Sequence, residues 1–185
     1  MFIAGFPAGP WGTNCYVVAT GPGSECLVVD PGKDATAGVE EVVREHRLKP
    51  VAVLLTHGHV DHMWCVAPVA GAYDATAYIH PSDRHLLTDP AAGMGRETRA
   101  MLGGLLGPGH SWAEPDDVRE LADGQALELA GVRVVVDHTP GHTEGSVTYR
   151  TPYDGPAAGG AGISELLFSG DLLFAGSIGR TDLPG

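Results

Sequence analysis

A continuous apolar run from Val51 to Leu55 limits the possible folds of this chain more than any other part of its sequence. An unbroken run of this length is typical of a strand that is buried on both faces, as the central strands of parallel sheets are. The preceding segment, Asp34 to Arg47, spaces apolar residues among charged ones, which predicts an amphipathic helix capped by Asp34. A helix that leads into a buried strand predicts a layered α/β domain.

Other β-rich runs lie on both sides of this strand. The predicted strands, besides 51–55, are 14–18, 26–30, 76–79, 126–129, 132–136, 146–150 and 166–169. The first two flank the turn sequence Gly21-Pro22-Gly23 and predict a hairpin. A helix is predicted over Met63 to Ala72, and residues 82–117 are interpreted as a loop-and-helix insertion able to form a lid. Two strand-rich halves predict two facing sheets.

Length and charge narrow the class of protein. The 185 residues predict one domain, 1–185. A net charge of −12 with only 11 Lys and Arg argues against binding to nucleic acid or an anionic membrane. Three cysteines without a CxxC spacing predict neither a disulfide framework nor a thiolate zinc site. The first residues lack a basic segment typical of a signal peptide, and a cytoplasmic location is expected.

The predicted buried strand leads directly into His57-x-His59-x-Asp61-His62, which places three imidazoles and one carboxylate within six residues. Zinc favours this ligand set. In an extended loop the first two histidines point the same way, while Asp61 and His62 reach a neighbouring position, so the cluster can serve two metals. The isolated histidines are expected to be structural or solvated residues: His46, His80, His85, His110 and His138.

The cluster resembles the signature of the metallo-β-lactamase superfamily, and later segments follow in that family's order. Thr139-Pro140-Gly141-His142-Thr143 resembles the loop with the next histidine ligand, and Ser169-Gly170-Asp171 resembles the strand end with a bridging aspartate. Gly179-Arg180-Thr181-Asp182 resembles a segment of the glyoxalase II and persulfide dioxygenase branches. The resemblance extends from Asn14 onward and implies a four-layer αββα sandwich.

The resemblance also implies a role for each matching residue. It assigns His57, His59 and His142 to a first metal, Asp61 and His62 to a second, and Asp171 to both. It implies one or two zinc ions, although iron or manganese would suit the same ligands. The residues expected to take part in catalysis are Asp61, Asp171 and Arg180.

Two residues near the cluster keep two interpretations each. Asp30 either supports the metal loop or is a plain turn aspartate. Arg180 either orients substrate or braces the site through Asp182, or it is an ordinary surface arginine. The family normally continues past this segment with a Gly-His segment that completes the second metal site, whereas this sequence stops at Gly185. We therefore expect a truncated form, or a second site completed by water or another chain.

The function implied by the resemblance is metal-dependent hydrolysis of a small-molecule thioester of the glyoxalase II type, such as S-lactoylglutathione or a conjugate of another thiol. The first alternative is a persulfide dioxygenase with one iron held by His57, His142 and Asp171. A second alternative is a metal-binding module without activity. Hydrolysis of β-lactams or nucleic acids is expected less, because the sequence lacks a secretory signal and an additional domain. The sequence does not predict an oligomeric state.

Overall fold

The computed structural model describes residues 1–95, 99–100, 102, 106, 111–153 and 162–182. Six strands form the first sheet in chain order: β1 (Phe2–Ala8), β2 (Thr13–Ala19), β3 (Glu25–Val29), β4 (Lys49–Leu54), β5 (Thr76–Ile79) and β6 (Val118–Glu120). A second sheet has the order β10-β9-β8-β7, from β7 (Ala126–Leu129), β8 (Val132–His138), β9 (Val147–Pro152) and β10 (Glu165–Phe168). A short pair, β11 (Leu173–Phe174) and β12 (Ser177–Ile178), follows.

The predicted buried strand is central in the first sheet. β4 pairs in parallel with β3 on one side and with β5 on the other, while β1, β2 and β3 are antiparallel. A parallel strand with a neighbour on each side has both faces covered, which explains the unbroken apolar sequence. The histidine cluster at residues 57–62, predicted from the sequence, follows β4 at its carboxyl end.

The two sheets face each other across one apolar core. Leu27 and Leu54 of the first sheet pack with Val134 and Tyr149 of the second. On the other face of the first sheet lie α1 (Ala35–His46), α2 (Val60–Met63) and α3 (Val66–Tyr73), and α4 (Pro81–Arg84) follows β5. The predicted sandwich is confirmed, and the described residues supply its helix, sheet and sheet layers.

Several local predictions were wrong. The side chain of Asp34 does not cap α1. Asp34 has a left-handed backbone (φ 63°), and its carboxylate accepts hydrogen bonds from Lys33 Nζ. The helix predicted over Met63 to Ala72 is two helices, α2 and α3, which are separated at Trp64 and Cys65.

Four strands were not predicted: β1, β6 and the short pair β11 and β12. β1 contains Gly5 and Pro7, which argue against a strand, but it is the edge of the sheet, where proline is tolerated. The short polar strand β6 lies just past the predicted insertion 82–117. That insertion contains α4 and two 3₁₀ turns, His85–Leu87 and Pro90–Gly93, and much of its remainder lies outside the described residues. None of the helices that the structure describes has the length and apolar character needed to cross a bilayer.

Candidate metal centre

The structure brings the sequence-predicted ligands to one place at the carboxyl end of β4. One ligand atom from each of His57, His59 and His142 lies within 4.8 Å of the others, and the same holds for His57, His62 and Asp171. These residues come from three separate segments of the chain: the loop after β4, the loop after β8 and the turn after β10. The four imidazoles are buried, whereas Asp171 is half-buried at the edge of the group.

The chemistry of the buried imidazoles fits a bound cation. Nε2 of His57 and Nε2 of His59 are buried without a hydrogen-bond partner among the described residues. Burial of an unpaired polar atom is costly, so native proteins rarely leave one unsatisfied. In His57 the other ring nitrogen, Nδ1, contacts Thr56 Oγ1 at 3.1 Å, which leaves Nε2 as the atom available to a cation.

A ring nitrogen of His59 and a ring nitrogen of His142 point toward each other. Nδ1 of His59 lies 2.9 Å from Nε2 of His142. Nδ1 of His142 is 2.8 Å from the carbonyl oxygen of Arg180, so it carries the proton and Nε2 presents a lone pair. Fixing one nitrogen of a histidine by a carbonyl is the usual way in which proteins orient a metal ligand.

Asp171 spans the two predicted metal positions. Its Oδ1 lies 3.1 Å from His62 Nε2, and its Oδ2 lies 3.5 Å from His142 Nε2. Asp61 lies beside the same histidine, with Oδ2 3.5 Å from His62 Nε2, and it accepts a hydrogen bond of 3.0 Å from Thr13 Oγ1. A carboxylate with one oxygen toward each group is suited to bridge two ions.

Two glycines lie directly against the backbone of these carboxylate residues. A Cβ at Gly32 would collide with the carbonyl oxygen of Asp61, and a Cβ at Gly179 would collide with that of Asp171. The Gly-Arg-Thr-Asp segment therefore has a physical reason to begin with glycine. Its first residue has to pass close to the predicted bridging aspartate.

The side chain of Asp30 is buried, and it supports the loop that carries the histidine cluster. It is buried at the end of β3 and accepts hydrogen bonds from Thr56 N (2.8 Å) and Thr56 Oγ1 (2.7 Å). Its Oδ2 also lies 3.0 Å from His62 Nδ1, which turns Nε2 of that ring toward Asp171. The interpretation as a plain turn aspartate is wrong.

Arg180 contributes its backbone to the centre. Its exposed side chain forms a two-bond ion pair with the exposed side chain of Asp182, at 2.7 and 2.8 Å, which fits both the bracing interpretation and an ordinary surface arginine. Its carbonyl oxygen holds His142, as described above. A role for the guanidinium in orienting substrate stays a prediction.

Of the histidines predicted to be structural or solvated, the four that the structure describes lie outside the group. His46 packs on Phe2, His85 is exposed, and His80 stacks on His138 with ring centroids 4.0 Å apart. His110 lies outside the described residues.

The buried histidines differ in the direction of their pKa shifts. Burial, followed by the neighbouring imidazoles, holds the pKa of His57 well below 6.5, and burial with His142 lowers the pKa of His59 to about 4. Burial also acts to lower the pKa of His62, but the Asp30 and Asp171 carboxylates outweigh it and raise that pKa well above 6.5. In the metal-free protein at neutral pH, His57 and His59 are therefore neutral and His62 is protonated.

Metal binding at the second position is therefore expected to release a proton. A histidine must be neutral to bind a metal, so an ion at His62 displaces its proton, whereas His57 and His59 have none to lose. Second-site affinity should rise as pH increases through the raised pKa of His62, and first-site affinity should change less. Calorimetric zinc titrations in buffers of different ionisation enthalpy measure the protons released at each step. Equal proton release at both steps would contradict this expectation.

A cavity of about 590 Å³ opens beside the second position. Asp61, His62 and Asp171 line one wall of it, and Tyr16 and Phe168 contribute apolar surface. Trp11, which is 40% exposed, lies on the turn between β1 and β2 and also lines a smaller pocket beside His59. The group therefore faces a space of the size that proteins use for small-molecule ligands, ~300–1,000 Å³.

Sequence reasoning missed two residues of the centre, Thr13 and Asp83. Thr13 holds Asp61, and Asp83 is a fully buried carboxylate behind the histidine loops. Neither stands in a local pattern that points to a metal, because each acts through partners far along the chain.

Comparisons with known proteins agree with this geometry. The sequence model described as "Metallo-beta-lactamase superfamily" matches residues 8–185. An uncharacterized protein of Mycobacterium tuberculosis (strain ATCC 25618 / H37Rv) is 43% identical over 100% of this chain and 79% of its own length. A "Probable metallo-hydrolase" of Bacillus subtilis is 33% identical over 97% and 74%, and a hydroxyacylglutathione hydrolase of Edwardsiella ictaluri is 30% identical over 86% and 47%.

Solved structures share the fold. The BLEG-1 B3 metallo-beta-lactamase is 38% identical, with a TM-score of 0.75, over 98% of this chain and 78% of the other. A di-iron-bound form of TTHA1623 is 37% identical, with a TM-score of 0.70, over 100% and 79%. The matched sequence, the sandwich and the histidine group together show that the chain belongs to the metallo-beta-lactamase superfamily of metallo-hydrolases.

Proposed function

We propose that this protein is a metal-dependent hydrolase of small-molecule thioesters. The observation that carries the proposal is the convergence of four histidines and Asp171 beside a cavity of small-molecule size, where two buried imidazole nitrogens have no hydrogen-bond partner among the described residues. The histidines are His57, His59, His62 and His142. His57, His59 and His142 would hold one ion, Asp61 and His62 a second, and Asp171 both. Zinc suits this set, and iron or manganese would too.

A bound divalent metal supplies Lewis acidity and makes hydroxide available near pH 7. The chain's own residues prepare the reaction around it. Asp61, held by Thr13, and Asp171, held by His62, present carboxylate oxygens at the cavity wall, where they would hold the metal and orient water. The apolar side of the cavity, with Tyr16 and Phe168, would hold the acyl substrate and exclude bulk water.

The leaving group favours a thioester over an ordinary ester or amide. A thiol has a pKa of about 8.5, so a thiolate departs without a strong general acid. Among the described residues that line the cavity, no lysine or arginine is present to serve as a general acid. Similarity to a hydroxyacylglutathione hydrolase supports a 2-hydroxyacyl thioester, although this chain spans only 47% of that relative. We further propose a cytoplasmic location, which the three buried free cysteines support.

Two other reactions have specific support. A persulfide dioxygenase would use His57, His142 and Asp171 around one iron: the rings of His57 and His142 are in contact, and Asp171 Oδ2 lies 3.5 Å from His142 Nε2. Iron is compatible with this fold, since the similar TTHA1623 was solved in a di-iron-bound form. Hydrolysis of a β-lactam is supported by the identity of 38% to the BLEG-1 B3 metallo-beta-lactamase. Both would use the same imidazole group.

A substrate panel separates these reactions. Protein loaded with zinc, iron or manganese is assayed for thiol release from S-lactoylglutathione and an S-lactoyl ester of an uncharged thiol, for oxygen uptake with glutathione persulfide, and for opening of a chromogenic β-lactam. The proposal expects thiol release to have the highest kcat/KM. Oxygen uptake with iron alone, or β-lactam opening at a higher kcat/KM, would replace the proposed reaction. Metal uptake without any turnover would favour a binding module.

A further inference from the structure

Asp83 is a fully buried carboxylate whose place in the fold links two loops of the metal centre. It lies on α4, and 0% of its surface is exposed. Burial of a charge is costly unless donors surround it. Its Oδ2 accepts hydrogen bonds from Gly58 N (2.8 Å) and Thr143 Oγ1 (2.7 Å), and its Oδ1 accepts one from Gly145 N (2.7 Å).

The three donors belong to the two loops that carry the first-site histidines. Gly58 stands between His57 and His59, while Thr143 follows His142 directly and Gly145 lies two residues further on. These loops are more than 80 residues apart in sequence, since the pair His59 and His142 is separated by 83. One carboxylate thus fixes the backbone of both loops from behind.

Close packing leaves this carboxylate little freedom. A Cβ at Gly145 would lie 2.5 Å from both Cγ and Oδ1 of Asp83. A Cβ at Gly58 would lie 3.0 Å from the Asp83 carbonyl oxygen and 2.8 Å from Leu86 Cδ1. Thr143 is held in turn by Ser146, whose Oγ lies 2.8 Å from Thr143 Oγ1 and accepts from Thr143 N. The loop that carries His142 is therefore seated on Asp83 by contacts that side chains would disrupt.

We propose that Asp83 is a positioning residue for the three-histidine site, which sets the distance between His59 and His142 and so the affinity for the first metal. The inference rests on the proposed metal centre. Asp83 acts through backbone amides and Thr143, and it is not a ligand itself. A carboxylate is required because the three donors are shared between both of its oxygens, each of which has to accept a hydrogen bond. An asparagine would replace one oxygen by an NH₂ group, which cannot accept from the donor that faces it.

The test measures metal affinity of folded protein. Metal-free wild type, Asp83→Asn, Thr143→Val and Gly145→Ala are titrated with zinc against a chromophoric chelator, after circular dichroism has shown that each is folded. Partners that orient metal ligands typically contribute about 10- to 100-fold in metal affinity, and we expect this loss for Asp83→Asn and Gly145→Ala. Thr143→Val, which removes one donor, should lose less. In the cobalt-substituted proteins, the visible absorption spectrum should change more for Asp83→Asn and Gly145→Ala than for Thr143→Val.

Gly71→Ala is the matched control for Gly145→Ala, because a Cβ at Gly71 meets nothing within 4 Å. It should bind zinc as the wild type does. Should Asp83→Asn fail to fold, the Gly145 and Thr143 variants decide the question. Folded variants with affinity within about twofold of wild type and an unchanged cobalt spectrum would overturn the proposal, since they lack the expected loss. Wild type that binds zinc but hydrolyses no thioester would refute the proposed reaction alone, and this inference would stand.

Discussion

Replacement of His142 by alanine is expected to remove the first-site metal and nearly all hydrolysis. His142 is the ligand that the loop after β8 contributes, and its Nε2 lies 2.9 Å from His59 Nδ1 and 3.5 Å from Asp171 Oδ2. A metal ion contributes several kcal/mol of transition-state stabilisation, and about 1.4 kcal/mol corresponds to tenfold in rate, so we expect kcat/KM to fall by roughly a thousandfold. Metal content per chain and thiol release measure the two effects.

His85→Ala is the control for this variant, because His85 is exposed on a 3₁₀ turn outside the group. It should keep both metal and activity. A folded His142→Ala protein that retains the wild-type metal content and rate would show that the histidine group does not hold the catalytic metal.

Asp171→Asn is expected to have the second largest effect. The substitution keeps the shape of the side chain but turns one oxygen, toward either His62 or His142, into an NH₂ group that cannot bind a cation. We expect loss of the second ion and a fall in kcat of about two to three orders of magnitude, since a bridging carboxylate orients water and neutralises both ions. The same variant should lower the pKa of His62 in the metal-free protein, which NMR of its imidazole protons detects.

Asp137→Asn is a suitable control, since Asp137 pairs with Arg150 on the second sheet and touches none of the predicted ligands. Its kinetics should match those of the wild type. If Asp171→Asn binds two ions with wild-type affinity, the bridging role of this aspartate is wrong.

Local patterns were enough to predict the elements that carry the site. The apolar run of β4 and the histidine cluster after it are adjacent in sequence, and the hairpin strands β2 and β3 are joined by a turn with two glycines and a proline. Each of these features depends on neighbouring residues alone. The resemblance then supplied His142 and Asp171, which no local rule connects to the cluster.

Features that depend on distant partners were not predictable. Asp30 had two interpretations because the role of its side chain depends on contacts with Thr56 and His62, which lie 26 and 32 residues away in sequence. Asp83 had no signal at all, since its donors are separated from it by 25 to 62 residues. β1 was missed because its glycine and proline obscure the strand pattern, and only its edge position in the sheet makes them acceptable.

Thiol release from an S-lactoyl thioester by one protein sample, before chelation, after chelation and after stoichiometric return of the metal, tests the central claim most directly. If the imidazoles and carboxylates at the end of β4 hold the ion that makes this protein a hydrolase, activity disappears with the ion and returns with it, while circular dichroism shows a folded chain throughout. Undiminished thiol release from folded protein that contains no metal would contradict the account.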